Sequence, residues 1–233
     1  MVSANFLSTK RTIDIVFCID GTGSMRPCIE NVKANARRFY TDFASEMTAM
    51  GSEIDMIRIR FVIFRDFKSD GANSMVQSRF FELPGEEAEF SAFLDGIRAT
   101  GGCDEDANGL EALYLAMNSD FSTGAKDRQV IVLFADTTAI PLGARRSYAG
   151  YPAGMVDDAG LLETWMCTQS HATKLRDRLK RLVMFAPKGS CYEELKKQFN
   201  RSVFTPVEIH RGLDDIAFSD IIKITAASAS AVS

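Results

Sequence analysis

The stretch IDIVFCIDGTGSM, residues 13–25, is the most informative part of the sequence. A continuous apolar run with β-branched residues is typical of a strand that is covered on both faces of a sheet. The run ends at Asp20, and a Gly-Thr-Gly-Ser turn follows at once. This pattern predicts a buried strand over residues 12–20 that delivers a carboxylate and two hydroxyls into a tight turn.

Strand and helix patterns alternate along the rest of the chain. Apolar residues three and four positions apart predict a helix over 25–50. The same reasoning predicts strands at 56–67, 80–83, 129–135, 182–186 and 203–209, and helices from about 86, from about 110, near 192–199 and over 213–227. The fold class that follows is α/β, with a doubly wound, mainly parallel central sheet and helices on both faces.

The 233 residues contain no repeat and no linker, so we expect one domain over 1–233. Its core is expected over about 12–226, between a short N-terminal lead and a frayed C-terminal tail.

Composition argues against several classes of partner. The net charge of −4 disfavours a nucleic-acid-coating protein, and KLRDRLKR, residues 174–181, is interpreted as a solvated helix face. No apolar run approaches the roughly 18 residues of a membrane span, and the first 12 residues lack the core of a signal peptide. The five cysteines are scattered without a C-x-x-C pair, which favours free thiols in a reducing compartment. We therefore expect a cytoplasmic protein that binds neither nucleic acid nor a membrane.

Asp20, Thr22 and Ser24 place side-chain oxygens at alternate positions of one turn. A carboxylate with hydroxyls is a hard donor set that suits Mg²⁺, Mn²⁺ or Ca²⁺. The alternative is that Thr22 or Ser24 caps the following helix. A cap accounts for one hydroxyl, but it does not account for the aspartate at the end of the strand.

Two further loops are predicted at the same edge of the sheet. Asp136 ends the second buried strand, and if that strand neighbours the strand of Asp20, both carboxylates face one crevice. A divalent cation would relieve their repulsion. The acidic turn ATGGCDEDANGL, residues 99–110, precedes a helix. Taken singly, Asp136 is also explained as a turn residue and the acidic turn as compensation of a helix dipole.

These loops together resemble the von Willebrand factor A-type domain, over about residues 12–226. The resemblance is carried by DGTGSM after an apolar strand, by the glycine-rich turn GGCD, and by the strand-ending Asp136. It implies a doubly wound α/β fold and a metal-ion-dependent adhesion site. The family signature is Asp-x-Ser-x-Ser, a threonine in a second loop and an aspartate in a third. The implied ligands of Mg²⁺ (or Mn²⁺ or Ca²⁺) are Asp20, Thr22, Ser24 and Asp136.

The middle loop departs from the family pattern. Thr100 lies before the glycines, and Cys103 stands where the family has its threonine, although a neutral thiol is a poor magnesium ligand. The GGCD turn is similar to the GGGD turn of intracellular members. The resemblance therefore favours Asp104 as the middle-loop ligand, with Thr100 as the second choice.

In the family, an Asp or Glu of a partner protein completes the coordination of the metal. The resemblance thus implies a metal-dependent protein-interaction module without catalysis, with a chaperone-like ATPase or a stress-response assembly as the suggested partner. The long segment 141–158 follows Asp136 and offers Arg145, Arg146, Tyr148 and Tyr151 as a recognition rim. The alternative for this segment is a mobile surface loop.

Enzymatic interpretations find less support in the sequence. A metal-assisted hydrolase or phosphatase could use the same carboxylates, but no general base stands out. FCIDGT resembles the turn of haloacid dehalogenase-type phosphatases, yet Cys18 stands where the nucleophilic aspartate belongs. GTGSMR lacks the last glycine of a dinucleotide-binding fingerprint.

Overall fold

A seven-stranded sheet runs through the part of the chain that the computed structural model describes, residues 11–101, 106–168, 173–209 and 216–231. Its strands are β1 (Thr12–Asp20), β2 (Met56–Phe64), β3 (Met75–Gln77), β4 (Phe81–Leu83), β5 (Arg128–Phe134), β6 (Lys180–Pro187) and β7 (Ser202–Val207). The helices are α1 (Arg26–Ala49), α2 (Phe67–Asp70), α3 (Glu87–Gly96), α4 (Gly109–Met117), α5 (Asp158–Met166), α6 (Cys191–Gln198) and α7 (Phe218–Ser230).

The sheet is mainly parallel, with β1 at its centre. The strand order is β3-β2-β1-β5-β6-β7, and β4 also pairs with β2. β3 and β4 run antiparallel to β2, and the other pairings are parallel. The parallel strands therefore end together at one edge, the carboxyl edge, where the chain leaves Asp20, Phe64 and Phe134. They begin together at the opposite edge, the amino edge. This arrangement confirms the predicted doubly wound α/β fold.

Alternating residues of β1 show why the sheet needs helices on both faces. Ile13, Ile15, Phe17 and Ile19 point into a core covered by α1, α3 and α7, whereas residues such as Val16 point into a core covered by α4, α5 and α6. Fully burying one such side chain stabilises the fold by about 1.5–3 kcal/mol. None of the helices in the described ranges is both long and apolar enough to cross a membrane.

The second strand ends earlier than the sequence pattern predicts. β2 stops at Phe64, and residues 67–70 form a short helical turn whose first N–H groups are capped by Asp66, which accepts a hydrogen bond from Lys68 N at 3.1 Å. The following antiparallel strand β3 is absent from the prediction. The strand pattern looked continuous because Phe67, although helical, is also apolar and buried.

The C-terminal helix extends further than predicted. The expected frayed tail is wrong for residues 227–230, because α7 continues to Ser230 and its small residues Ala226 and Ala229 are fully buried. Small side chains here allow close packing of α7 against α1. The predicted helix start at 213 falls outside the described residues.

The segment 174–181 is not the solvated helix face that its charges suggested. β6 begins at Lys180, and both Lys180 and Arg181 are buried. The last strand, predicted over 203–209, ends at Val207. β7 lies at the end of the strand order, where a strand can contain a proline such as Pro206.

Candidate functional site

The first loop leaves β1 with a buried carboxylate that is only partly hydrogen-bonded. Asp20 is fully buried, and its Oδ1 accepts a hydrogen bond from the backbone N–H of Thr22 at 2.9 Å. Its Oδ2 is buried as well and has no hydrogen-bond partner within the described residues. A buried carboxylate oxygen without a partner carries a large desolvation cost. It is therefore a place where a cation or a proton would be stabilised.

The two hydroxyls of this loop face each other and do not cap the helix. Thr22 Oγ1 and Ser24 Oγ lie 3.3 Å apart. Thr22 precedes a 3₁₀ turn at Gly23–Met25 and Met25 precedes α1, but neither end has a side-chain capping hydrogen bond. The helix-cap alternative is therefore wrong. The Thr22 hydroxyl lies within hydrogen-bonding reach of the Asp20 carboxylate, and the Ser24 hydroxyl lies beside that of Thr22.

Asp136 lies at the same edge, two residues after the end of the neighbouring strand β5. β1 and β5 pair in parallel with Ile19 opposite Phe134, so the chain delivers Asp20 and Asp136 side by side. Asp136 is also fully buried. Burial raises the pKa of Asp20 to about 7, the hydrogen bonds from Thr22 oppose this rise, and the nearby charge of Asp136 adds to it. The two carboxylates thus share one electrostatic environment, as expected from the strand order.

The donor set at this point fits a hard divalent cation. Within the described ranges no three His, Cys, Asp or Glu side chains form a metal-binding group. An ion here would be held by a mixed set: the carboxylates of Asp20 and Asp136 with the hydroxyls of Thr22 and Ser24. Oxygen-only sets of this kind suit Mg²⁺ and related ions rather than zinc. Such an ion would supply a partner for Oδ2 of Asp20, which has no hydrogen-bond partner among the described residues.

The middle loop lies against the first loop through backbone hydrogen bonds. The N–H of Thr100 donates to the carbonyl of Gly21 at 3.0 Å, and the N–H of Gly23 donates to the carbonyl of Gly101 at 3.4 Å. Thr100 is exposed. Asp104, the preferred middle-loop ligand, lies outside the described residues, as does Cys103.

Arg65 holds these loops together, and sequence reasoning missed it. Its guanidinium donates from Nε to the carbonyls of Gly21 and Thr100, from Nη1 to Asn73 and from Nη2 to Arg98, at 2.6–3.1 Å. Arg65 is 6% exposed. A Cβ on Gly21 would lie 2.9 Å from the Cζ of this guanidinium and 2.7 Å from Ile63, so a glycine is needed there. The available signal was its position directly after β2, at the carboxyl edge.

The predicted recognition rim divides into an anchored half and an exposed half. Arg145 Nε donates to Asp66 Oδ1 at 2.8 Å, and Tyr151 Oη donates to Glu111 Oε1 at 3.1 Å. These two residues fasten the 141–158 segment to the protein and are not available as a free rim. Arg146 and Tyr148 are exposed, with Tyr148 at 39%.

Three polar residues buried under this segment also escaped the sequence analysis. They are Asp66, Asn108 and Glu111, all fully buried. Asn108 Oδ1 accepts from the N–H of Phe67 at 3.1 Å, and Glu111 Oε1 accepts from the N–H of Gly143 at 3.1 Å. Asp66 lies two residues after the end of β2, at the same edge as Asp20, the last residue of β1, and a carboxylate at a strand end is the signal that could have identified it. Together they make the long segment an ordered part of the carboxyl edge.

A cleft of about 260 Å³ lies among the loops that follow β5 and β6. Its lining includes Asp106, Thr137, Lys188 and Ser190. Lys188 follows β6 and is exposed. The carboxyl edge therefore combines buried anionic groups with exposed cations at its border.

Two solved structures resemble this chain in fold. The von Willebrand factor type A protein from Catenulispora acidiphila matches with a TM-score of 0.51 at 14% identity, over 94% of this chain and 43% of that chain. The chain has a von Willebrand factor A-like fold. The pilus adhesin SpaC from Lactobacillus rhamnosus GG matches with a TM-score of 0.52 at 11% identity, over 94% of this chain and 30% of that chain.

These likenesses concern the fold. The chain spans less than half the length of either structure. No protein-family model and no curated protein matches it. In the von Willebrand factor A-like frame, the first loop, the middle loop and Asp136 all lie at the carboxyl edge, where open α/β sheets place their ligands.

Proposed function

We propose that this chain is a metal-dependent protein-interaction module. The ion is Mg²⁺, or Mn²⁺ or Ca²⁺, held by Asp20, Thr22, Ser24 and Asp136. Asp104 or Thr100 serves as the middle-loop ligand. The observation that carries this proposal is the buried, partnerless Oδ2 of Asp20 beside two hydroxyls that cap nothing.

The partner is another protein that supplies an Asp or Glu side chain. A bound divalent ion offers such a carboxylate an open position, because Mg²⁺ usually keeps several water molecules that a ligand can replace. The exposed cations Arg146 and Lys188 at the same edge would favour an acidic surface. Tyr148 adds an exposed aromatic contact. A chaperone-like ATPase or a stress-response assembly, and a cytoplasmic location, stay predictions.

Selection from a displayed random peptide library tests this function and requires no candidate partner. The immobilised protein is presented with the library in Mg²⁺, and enriched peptides are then measured in Mg²⁺ and in EDTA. We expect peptides that contain an essential Asp or Glu, that lose binding in EDTA, and that do not bind Asp20→Ala. Asp120→Ala is the matched control, since Asp120 has a 75% exposed side chain remote in sequence from these loops. Peptides that bind equally well in EDTA would contradict the proposal.

A phosphatase assay separates binding from catalysis. With p-nitrophenyl phosphate and Mg²⁺ or Mn²⁺, we expect no turnover above that of Asp20→Ala. Turnover by the wild type that disappears in Asp20→Ala would instead support the metal-assisted hydrolase.

A further inference from the structure

Four arginines lie at the start of four strands that neighbour one another in one half of the sheet. Arg11 directly precedes β1, Arg128 is the first residue of β5, Arg181 is the second residue of β6, and Arg201 directly precedes β7. Since β1, β5, β6 and β7 are neighbours in that order, the arginines lie side by side along the amino edge. At the usual spacing between strands, this arginine row is roughly 14 Å long.

The strand register places the whole row on one face. The pairs that fix the level of each arginine are Ile13 with Arg128, Val130 with Arg181, and Leu182 with Ser202. Because side chains alternate between the two faces of a strand, all four arginines share the face of Ile13 and Val130. That face is the one covered by α7. The row therefore lies beneath the C-terminal end of this helix.

Capping of α7 explains part of the row. Arg181 donates to the carbonyls of Ser228 at 3.1 Å and Ala231 at 2.7 Å, and Arg11 donates to Ala229 at 3.4 Å. Cations that satisfy the last carbonyls of a helix stabilise it. A structural role is thus sufficient for Arg181, whose guanidinium makes four hydrogen bonds to backbone carbonyls.

The guanidinium groups of the other three arginines have few hydrogen-bond acceptors. Arg128 donates from Nη1 to the carbonyl of Asp127 at 2.9 Å, and Arg201 Nη2 lies 3.7 Å from Asp177 Oδ2. The Nε atoms of Arg11, Arg128 and Arg201 are buried and have no hydrogen-bond partner in the described part of the chain. Buried charged donors without acceptors are costly, so they point to an absent acceptor.

The charges around the row also favour an additional anion. Burial lowers the pKa of Arg128, and the charges of Arg11 and Arg201 lower it further. Burial lowers the pKa of Arg181 to about 10, again helped by its arginine neighbours. The carboxylates that act on these groups are those of Asp127 and Asp177. Asp127 already accepts hydrogen bonds from the backbone N–H groups of Thr12 and Gly124, at 2.9 and 2.7 Å.

We propose that the arginine row binds a phosphate-class ligand that carries two or more oxyanion groups. Guanidinium groups match the oxygens of phosphate with paired donors, and a row of them matches successive phosphates better than one. A groove of about 470 Å³ between β7 and α7 opens beside the row and is bordered by Arg181, Arg201 and Ser228. The side chain of Arg201 is 27% exposed, so a ligand can reach it. This site shares no residue with the carboxyl edge and does not depend on the function proposed there.

Calorimetric titration with tripolyphosphate and with orthophosphate tests this site. The full chain is used in metal-free buffer, with ionic strength held constant by sodium chloride. We expect the wild type to bind tripolyphosphate at least tenfold more tightly than orthophosphate. The double variant Arg128→Gln/Arg201→Gln should bind tripolyphosphate at least tenfold more weakly than the wild type. The control Arg38→Gln/Lys196→Gln removes the same charge from exposed helix positions and should stay within twofold.

Three results would overturn the proposal. The wild type could bind the two phosphates with equal affinity, or bind neither. The control variant could lose as much affinity as the row variant, which would indicate non-specific charge attraction. If the double variant fails to fold, Arg201→Lys replaces it, because lysine keeps the positive charge but lacks the paired N–H donors of a guanidinium group. Arg201→Lys should weaken tripolyphosphate binding several-fold, and unchanged affinity would contradict the proposal.

Discussion

The two edges of the parallel sheet carry opposite chemistry. At the carboxyl edge, Asp20 and Asp136 are buried close together with hydroxyl oxygens beside them. At the amino edge, four arginines stand in a row under the end of α7. Each edge collects like charges from neighbouring strands, because parallel strands bring equivalent positions together. When the same kind of charged residue occurs at the end or the start of neighbouring parallel strands, the charges lie close together. A bound ion or ligand of the opposite charge would then be stabilised there.

The edges differ in how their polar groups are held. The loops of the carboxyl edge are joined by the guanidinium of Arg65, which reaches four backbone carbonyls. The row at the amino edge is held by the strands themselves and by the helix above it. Substitutions should therefore be most damaging at the carboxyl edge and least damaging at the amino edge.

Arg65→Ala should cause the largest loss. It removes a buried side chain and leaves the carbonyls of Gly21, Thr100, Asn73 and Arg98 without their common donor, so we expect a loss of about 4 kcal/mol in the free energy of unfolding. Urea unfolding measures it. Arg38→Ala, at a side chain that is 74% exposed, should change stability by less than about 0.5 kcal/mol. A loss below about 1 kcal/mol for Arg65→Ala would show that the loops are held in another way.

The metal-free protein should lose stability as the pH rises from about 4 to 7. Because the pKa of Asp20 is raised from 3.8 to about 7, the folded state holds a proton that the unfolded state has released. The stabilisation is complete below pH 3.8 and is lost as the pH rises through 7, with a slope of up to about 1.4 kcal/mol per pH unit. Asp20→Asn should remove this component.

The measurement is the difference between wild type and Asp20→Asn in urea unfolding at several pH values, in chelator-treated buffer. The difference removes the contribution of Asp14, whose pKa is also raised by burial. Parallel stability curves for the two proteins would contradict the assigned environment of Asp20.

The rim residues should separate into two groups. Arg145→Ala removes the ion pair to buried Asp66, and we expect a loss of about 2 kcal/mol in stability. Tyr148→Ala removes an exposed ring and should cost less than about 0.5 kcal/mol while weakening peptide binding in Mg²⁺. Thermal unfolding and peptide affinity, measured on both variants, check this. A stability loss for Tyr148→Ala equal to that for Arg145→Ala would remove the distinction.

The amino edge should give the smallest effect. Arg128→Gln removes one of several repelling charges and one bond to a neighbouring carbonyl, so stability in phosphate-free buffer should change by less than about 0.5 kcal/mol. Urea unfolding checks it. A loss as large as that of Arg65→Ala would mean that Arg128 is part of the framework and not a ligand-binding group.

The part of the site that the sequence predicts consists of residues at the ends of strands that the fold places next to each other. Asp20 and Asp136 could be placed together because both end apolar runs, and the observed β1–β5 pairing agrees. Arg65 and Asp66 were missed because the apolar Phe67 made β2 look longer than it is, which placed both residues inside the strand and not beyond its end. The C-terminal Ala and Ser residues looked frayed, but small side chains also suit close helix packing. The arginine row depends on register across four strands, which no local pattern contains.

Thermal unfolding with and without Mg²⁺ tests whether oxygens of the loops after β1 and β5 bind one divalent ion at the carboxyl edge. At a hundredfold excess of Mg²⁺ over its dissociation constant, the wild type and Asp120→Ala should each gain about 2.7 kcal/mol. Asp20→Ala and Asp136→Ala should gain nothing. If all four proteins respond equally to Mg²⁺, the ion binds elsewhere and the proposed site at the carboxyl edge is contradicted.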